Sequence, residues 1–290
     1  MPELPEVETV VRQLRPFIIG KIITKTSVLH DKTVNYDSFF SDKLRGLEIS
    51  TIDRVGKLII ISFADNINLH LITHLKMTGQ FFLVDEKNAV VGGGHTYRAS
   101  DITHLPNQHS RMYLTFSDNS KLFFNDMRLF GYTKLVSNDE LASILSKYGP
   151  EPIHSQFNNA IDEVAKKIKK KKTTIKAALL DQSLVAGLGN IYVDEALFLA
   201  KIRPTKRCNT LTYLQIKSVL RFGGVVMNDS IKVGGTTFQS FNDVYGKPGN
   251  YTEQLRVFDR SGMECVNCKT TIKKIKLGGR GTHYCPNCQK

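Results

Sequence analysis

Two groups of residues in this sequence could do chemistry: cysteine pairs near its carboxyl end and a proline beside glutamates at its start. The pairs are Cys265-x-x-Cys268 and, sixteen residues later, Cys285-x-x-Cys288. Two thiolate pairs at the ends of a β-hairpin offer four soft ligands to tetrahedral zinc. Reduced structural cysteines or two disulfides are the alternatives. The spacing predicts one structural zinc ion, with no ligand position left for a catalytic water.

Removal of the initiator methionine would leave Pro2 with a secondary amine. Such an amine is a nucleophile with an appreciable neutral fraction near neutral pH, and its attack on a sugar C1′ gives an iminium directly. Glu3 and Glu6 lie close by in sequence and could transfer protons. The alternative is that Glu3, Glu6 and Glu8 only complement the positive N-terminus of a helix.

The apolar pattern predicts the elements that position these groups. Residues 5–18 carry apolar side chains at helical spacing and predict an amphipathic helix. Residues 85–110 are expected to form a long loop or insertion, and Pro and Gly at 147–152 mark a linker. Short β-strands are predicted at 58–63, 67–72, 80–84, 112–116 and 122–125, and later helices at 175–180 and 191–202.

The charge balance favours a nucleic-acid partner. Forty Lys and Arg against 27 Asp and Glu give a net charge of +13, the excess expected of a protein that neutralises phosphates. Ribosome-associated and membrane-surface proteins share this property, so composition alone does not decide. No stretch approaches the ~18 apolar residues of a membrane span, and the acidic start is unlike a signal peptide. We therefore expect a cytoplasmic protein without a membrane partner.

The motifs decide between these partners. Met1-Pro2-Glu3-Leu4-Pro5-Glu6-Val7-Glu8-Thr9 resembles the start of bacterial formamidopyrimidine-DNA glycosylases, also called 8-oxoguanine DNA glycosylases. The sister family, endonuclease VIII, usually has glycine where this chain has Leu4. The resemblance continues in order through motifs at 55–57, 74–79, 126–131, 179–182, 190–195 and 234–237 to the cysteine pairs.

The resemblance implies an α+β fold in four parts. Residues 2–135 would form an N-terminal helix with a two-layer β-sandwich, and residues 136–155 a linker. Residues 156–255 would form a helix-two-turn-helix domain with a loop, around 232–238, that covers the lesion. Residues 256–290 would form a zinc β-hairpin.

The resemblance also implies a DNA glycosylase of base excision repair. It would excise oxidised purines, such as 8-oxoguanine and formamidopyrimidines, and cut the strand by β,δ-elimination through a Schiff base at Pro2. Glu3 would act as acid and base, assisted by Glu6. The implied DNA contacts are phosphate clamping by Lys57, Asn190 and Arg280, and filling of the space left by the everted base by Met77, Arg128 and Phe130.

The match leaves several points open. For Asn190 a simple helix cap is the alternative to a phosphate contact, and one side chain can serve in both roles. Leu129 and Phe241 stand where the family commonly has a basic residue and a tyrosine. An endonuclease VIII-like enzyme for oxidised pyrimidines and a non-catalytic protein that binds damaged DNA are the competing functions. We expect a monomer that acts on damaged double-stranded DNA at the bacterial nucleoid.

Overall fold

The computed structural model describes residues 2–85, 90–94, 104–236 and 250–290. Backbone contacts divide the chain into two compact units. Unit 1 comprises Met1–Leu145 with Val233–Asn250, and unit 2 comprises Ser146–Lys232 with Tyr251–Lys290. The cysteine-rich end thus belongs to the same unit as the preceding helices. The four-part division at residues 135, 155 and 255 stays a prediction.

Unit 1 is built from helices on two antiparallel sheets. Its helices are α1 (Leu4–Ile18), α2 (Phe40–Leu44) and α3 (Asn138–Leu145). Its strands are β1 (Ile23–Val28), β2 (Ile49–Val55), β3 (Leu58–Phe63), β4 (Leu69–His74), β5 (Gly79–Val84), β6 (Val90–Gly94), β7 (Ser110–Phe116), β8 (Lys121–Asp126) and β9 (Tyr132–Ser137). One sheet has the strand order β1-β7-β8-β5-β6 and the other the order β2-β3-β4-β9.

One hydrophobic core joins α1 to both sheets of unit 1. The apolar stripe of α1 is fully buried, from Val7 to Ile18, and packs with strand residues such as Ile61 and Phe124. This arrangement confirms the expected α+β sandwich. The helix that carries the amino-terminal chemistry is therefore held rigidly by the core.

Strand β3 shows why four consecutive apolar residues occur in one strand. Ile59 and Ile61 face the main core, whereas Leu58 and Ile60 belong to a second cluster that α3 covers. Because side chains alternate between the faces of a strand, burial of both faces demands an unbroken apolar run. The prediction for 58–63 coincides with the observed strand for this reason.

Unit 2 is helical and ends in a hairpin. Its helix at Asn190–Leu199, α6, is buried from Tyr192 to Phe198. None of the helices among the described residues is long and apolar enough to cross a membrane. The helices are α4 (Phe157–Lys169), α5 (Ile175–Leu179), α6 (Asn190–Leu199) and α7 (Tyr213–Lys232), and the hairpin strands are β10 (Lys273–Leu277) and β11 (Arg280–Tyr284).

Two sequence predictions need correction. The expected loop at 85–110 contains strand β6, in which Gly92, Gly93 and Gly94 pair with β5 at Phe82, Phe81 and Gln80. Glycines in an edge strand carry no apolar periodicity, so the pattern was misleading. The long helix α7 was not predicted either.

Candidate functional site

The amino-terminal end of α1 brings Pro2, Glu3 and Glu6 together. Pro2 is buried, and Glu3 and Glu6 are only 3% and 2% exposed. Glu3 is the N-cap residue of α1, and its backbone N–H donates to Glu6 Oε2 at 2.8 Å. This capping box matches the helix-complement alternative, and it also fixes both carboxylates close to Pro2.

The third glutamate of this segment is engaged elsewhere. Glu8 accepts hydrogen bonds of 2.5 Å from both Arg12 and Arg54. Although burial favours its protonated form, the two guanidinium groups lower the pKa of Glu8. Glu8 therefore remains an ionised partner of two arginines, which leaves Glu3 and Glu6 as the candidates for proton transfer.

Glu6 also holds a second segment of unit 1. The backbone N–H of Thr236 donates to Glu6 Oε1 at 2.9 Å, and Thr236 is 3% exposed. Each oxygen of this carboxylate thus accepts one backbone N–H. Glu6 consequently ties Thr236, within the expected lesion-covering loop around 232–238, to the N-terminal end of α1. Residues 237 and 238 of that loop, and Phe241, lie outside the described residues.

Two further residues of unit 1 could contact DNA: Lys57 carries a positive charge, and the neutral ring of His74 is a hydrogen-bond donor. Lys57, in the turn between β2 and β3, is 6% exposed. Burial, with the charges of Lys76 and Lys57, lowers the pKa of His74 to about 3. Its Nδ1 accepts the backbone N–H of Lys76 at 3.0 Å, so the ring proton lies on Nε2. The neutral ring can therefore donate one hydrogen bond beside two lysines.

Two adjoining turns carry the three residues expected to fill the DNA stack. Met77 lies between β4 and β5, and Arg128 and Phe130 lie between β8 and β9. The buried carboxylate of Asp126 joins the turns: it accepts from the hydroxyl of Thr78 and from the backbone N–H of Arg128 at 3.2 Å. The structure thus brings Met77, Arg128 and Phe130 onto one support.

The side chains on this support are exposed and mutually ordered. Phe130 is 51% and Met77 37% exposed. The guanidinium of Arg128 lies over the Phe130 ring at 4.7 Å. A Cβ at Gly131 would lie 2.8 Å from Phe124 Cζ and 3.1 Å from Asp126 Oδ2, so only glycine fits there. The result is an apolar wedge beside a planar donor, both presented to solvent.

In unit 2, Asn190 begins helix α6. The N-cap residue is Gly189, so the cap interpretation of Asn190 is wrong. Its Nδ2 donates instead to the carbonyl oxygen of Gly281 at 3.0 Å. First-turn N–H groups have no intrahelical acceptor and lie at the positive end of the helix, where a phosphate is stabilised. An anion site here would use the helix end and the second Nδ2 hydrogen.

Arg280 lies at the tip of the carboxyl-terminal hairpin. Gly278 and Gly279, with φ of 55° and 77°, form the turn that connects β10 and β11. Such two-residue turns need left-handed backbone at both positions, which glycine adopts without strain. Arg280 is the first residue of β11 and is exposed. The turn therefore presents a guanidinium to solvent on a rigid strand.

A buried network joins this strand to α6. Lys176 Nζ donates to Asp194 Oδ1 at 2.6 Å and to Gly281 O at 3.2 Å. Asp194 Oδ2 accepts the backbone N–H of His283 at 2.8 Å. The Gly281 carbonyl thus accepts from both Asn190 and Lys176. Because Gly281 follows Arg280 directly, the network sets the position of Arg280 relative to Asn190.

The adjacent carboxylate holds the segment that precedes the cysteines. Glu195 accepts the backbone N–H groups of Arg256, Val257 and Phe258 at 2.9 Å in each case. Burial raises the pKa of Glu195, while these hydrogen bonds act in the opposite direction. Asp194 and Glu195 therefore attach α6 to two parts of the carboxyl-terminal segment.

The four cysteines converge on one point of unit 2. The Sγ atoms of Cys265, Cys268, Cys285 and Cys288 all lie within 4.8 Å of one another. The Cys265–Cys288 and Cys268–Cys285 pairs are 3.8 and 3.5 Å apart. Zn–S bonds of about 2.3 Å place tetrahedral sulfur ligands about 3.8 Å apart, so the cluster fits zinc. It does not fit disulfides, whose sulfur atoms lie about 2 Å apart.

Several supporting residues were missed from the sequence. These residues are buried and accept or donate hydrogen bonds that hold segments close to expected site residues: Asp126, Lys176, Asp194 and Glu195. Their signal was a charged residue at an apolar position, as in Ile175-Lys176-Ala177-Ala178-Leu179. A buried charge requires a partner, which makes such positions structurally informative.

Comparison with protein-family models assigns almost the whole chain. Residues 1–133 match the formamidopyrimidine-DNA glycosylase N-terminal domain, and residues 148–242 match the H2TH domain of the same glycosylases. Residues 262–290 match a zinc finger found in FPG and IleRS. The zinc-finger match and the sulfur geometry together confirm one structural zinc ion.

Individual proteins agree with the family models. A formamidopyrimidine-DNA glycosylase from Streptococcus pneumoniae is 36% identical over 293 residues, which cover 100% of this chain and 99% of that protein. The Lactococcus lactis Fpg protein bound to N7-benzyl-Fapy-dG DNA superposes with a TM-score of 0.85 at 35% identity, covering 100% of both chains. The same protein bound to DNA with an abasic site gives 0.83 at 34%, again covering 100% of both chains.

Proposed function

The chain belongs to the formamidopyrimidine-DNA glycosylase family, and from that premise we propose how its residues perform base excision on damaged double-stranded DNA. As a member, it is a DNA glycosylase that also cleaves abasic sites. The observation that carries the residue assignment is the buried group of Pro2, Glu3 and Glu6 at the N-terminus of α1.

Pro2 is the nucleophile in this proposal. Once Met1 is removed, the lone pair of the proline nitrogen attacks C1′ of the damaged nucleotide, the bond from C1′ to the base breaks, and the proton that the amine loses passes to the departing base. Glu3 gives a proton to the ring oxygen as the sugar opens, so that an iminium forms between C1′ and Pro2. Burial of Glu3 keeps its carboxyl away from competing water.

Glu6 positions these groups. Its two oxygens accept the N–H groups of Glu3 and Thr236, so these hydrogen bonds hold both segments where they meet. Strand cleavage then follows from the iminium. Loss of a C2′ proton expels the 3′ phosphate, and loss of a C4′ proton expels the 5′ phosphate. The product is a one-nucleotide gap with phosphate at both ends.

The remaining assigned residues hold DNA. In unit 1, Lys57 contacts a DNA phosphate, and Nε2 of the neutral His74 ring is a hydrogen-bond donor close to Lys57. Asn190 and Arg280 contact phosphates in unit 2 from a helix N-terminus and a hairpin tip. Phe130 and Met77 fill the space that the everted nucleotide leaves, and Arg128 donates to the orphaned base.

Zinc has no step in this reaction. When bound by the four cysteines it holds the hairpin that carries Arg280, and every ligand position is filled by sulfur. All of the assigned roles lie in one chain, so we propose that a monomer acts on chromosomal DNA in the bacterial cytoplasm.

The proposal is tested by excision from duplexes that carry 8-oxoguanine, a formamidopyrimidine or an oxidised pyrimidine. We expect the purine lesions to be excised faster under single-turnover conditions. Glu3→Gln should bind DNA with unchanged affinity and lose most excision, because it keeps the shape of the side chain without its titratable proton. Faster excision of the pyrimidine would favour the endonuclease VIII-like alternative. Full activity of Glu3→Gln would remove Glu3 from the mechanism.

A further inference from the structure

Unit 1 contains a cavity that none of the assigned roles uses, named here the Tyr36 cavity. Its volume is about 610 Å³, and Lys32, Tyr36, Phe130, Tyr132 and Lys134 are among its lining residues. Ligand sites in proteins commonly occupy about 300 to 1,000 Å³. The cavity is therefore large enough for a nucleotide. It shares Phe130 with the wedge described above.

The backbone at this cavity is strained in a way that exposes an aromatic ring. Asn35 and Tyr36 have consecutive left-handed conformations, with φ of 56° and 58°. Asparagine tolerates this region, but a bulky residue such as tyrosine rarely occupies it. Tyr36 N–H donates to Asp31 O at 2.9 Å and Asn35 N–H to Lys32 O at 3.2 Å, which holds the turn. Tyr36 is also 72% exposed, and left-handed backbone at a residue other than glycine is found preferentially at functional sites.

The lining combines aromatic faces with positive charge. Tyr36, Phe130 and Tyr132 supply rings, and Lys32 and Lys134 supply ammonium groups. Lys134 also forms a 3.5 Å surface ion pair with Glu140. No acidic side chain of the described residues lines the cavity. Rings that stack on a base and lysines that contact its phosphate are the elements of a single-nucleotide site.

We propose that the Tyr36 cavity binds one nucleotide of the undamaged DNA strand, next to the base opposite the lesion. This inference rests on the proposed function, because Phe130 must enter the stack. A wedge deprives the adjacent base of its stacking neighbour. That base then stacks on Tyr36 while its phosphate contacts Lys32 and Lys134. The damaged strand is occupied at Pro2, so the undamaged strand supplies the nucleotide.

The test measures DNA affinity with a duplex that carries a stable abasic analogue at the lesion position. Tyr36→Asn removes the ring and keeps a residue that tolerates the left-handed backbone. We expect it to weaken binding about five- to 150-fold, the effect of losing one aromatic–base stack. Tyr36→Phe should bind like the wild type because it retains the ring. The matched control is Phe39→Asn, because Phe39 is 63% exposed on the same loop and does not line the cavity.

A second arm identifies the nucleotide. Each base of the undamaged strand within two positions of the lesion's partner is replaced, one at a time, by an abasic spacer. At one position next to the base opposite the lesion, the spacer should weaken DNA binding by the wild type. The same spacer should cause no further loss of affinity in Tyr36→Asn. Additive losses at every position would overturn the proposal, as would unchanged affinity of Tyr36→Asn. Coupling found only with spacers in the damaged strand would also overturn it.

These experiments can refute the Tyr36 cavity and the proposed function independently of each other. Excision by the wild-type and Phe39→Asn proteins reports on the proposed function alone. If both excise oxidised purines and the spacer losses are additive, only the Tyr36 cavity is excluded. If neither excises them, the function fails, whatever the binding arms give.

Discussion

The two buried glutamates at the N-terminus of α1 have different proposed roles. Glu3 and Glu6 are buried together, and the carboxylate of Glu6 accepts the backbone N–H groups of Glu3 and Thr236. The resemblance assigns Glu3 as acid and base with Glu6 assisting. The two backbone hydrogen bonds of Glu6 support a positioning role for it, which agrees with that proposal.

Arg128 should determine the preference for the base opposite the lesion. A guanidinium has donors only, and cytosine offers two adjacent acceptors, whereas adenine offers a donor beside one acceptor. A mismatch of this kind costs about 1 to 3 kcal/mol, which is about a five- to hundredfold preference for cytosine. Arg128→Ala should abolish this ratio in single-turnover excision opposite each of the four bases.

Met127→Ala is the control for Arg128, because Met127 is 55% exposed on the same loop and has no assigned role. It should keep the wild-type ratio. An unchanged cytosine-to-adenine ratio in Arg128→Ala would show that another residue reads the orphaned base.

His74 should make folding stability depend on pH in the mildly acidic range. Its pKa is about 3 in the folded state and about 6.5 when unfolded, so below pH 6.5 the unfolded state binds the extra proton. Stability is therefore complete above pH 6.5 and declines as the pH falls towards 3. The loss reaches about 1 kcal/mol of unfolding free energy at pH 5.5.

His74→Asn provides the comparison, because Asn Oδ1 can accept the Lys76 N–H in place of Nδ1 and does not titrate. Denaturant unfolding at pH 7.5 and 5.5 measures the difference. The variant should lose about 1 kcal/mol less than the wild type between these two pH values. Equal losses in both proteins would mean that His74 titrates normally.

Secondary-structure elements were predictable where one pattern dominated. Helix α1 and strand β3 follow directly from apolar spacing, because all their core positions are apolar. Helix α7 was missed because Gly223 and Gly224 interrupt its apolar stripe, although Leu220 and Met227 on either side are buried. Glycine has low helix propensity, so the pattern alone did not favour a helix.

The supporting contacts of the site could not be predicted. Asn190 and Gly281 are 91 residues apart in sequence, and Glu6 and Thr236 are 230 apart. No local pattern encodes such pairs, because they arise only when the tertiary fold brings the elements together. The resemblance to known glycosylases identified Asn190 and Arg280 as candidate site residues. Only the structure shows that Lys176 donates to the carbonyl oxygen of Gly281, which also accepts from Asn190.

Zinc removal should disable the hairpin that carries Arg280. Cys265 and Cys285 are buried with Phe198, Val257 and Ile272, so loss of the metal also disturbs this small core. Chelation should release one zinc ion per chain and weaken DNA binding, measured by elemental analysis and anisotropy.

Cys208→Ser is the matched variant for the zinc prediction, because Cys208 is buried away from the cluster. It should retain the metal. A metal-free protein that binds DNA at full affinity would refute a structural role for zinc.

The complete chain carries a charge of +13, and its contacts with DNA should be dominated by phosphates. The logarithm of affinity should therefore fall linearly with the logarithm of salt concentration, by about 0.9 for each phosphate that a charged side chain neutralises. Arg280→Gln should reduce this slope by about 1. Asn190→Ala should lower affinity without changing the slope, because an amide carries no charge. Identical slopes for wild type and Arg280→Gln would remove Arg280 from the phosphate contacts.

The covalent intermediate proposed at Pro2 is the most direct test of the proposed reaction. The purified protein is incubated with a duplex that contains 8-oxoguanine, reduced with borohydride, digested and mapped by mass spectrometry. We expect Met1 to be absent and the reduced sugar to be attached to the nitrogen of Pro2. Pro2→Gly should give a strongly reduced yield of adduct. An adduct on a lysine, or full excision by protein that retains Met1, would contradict the proposed reaction.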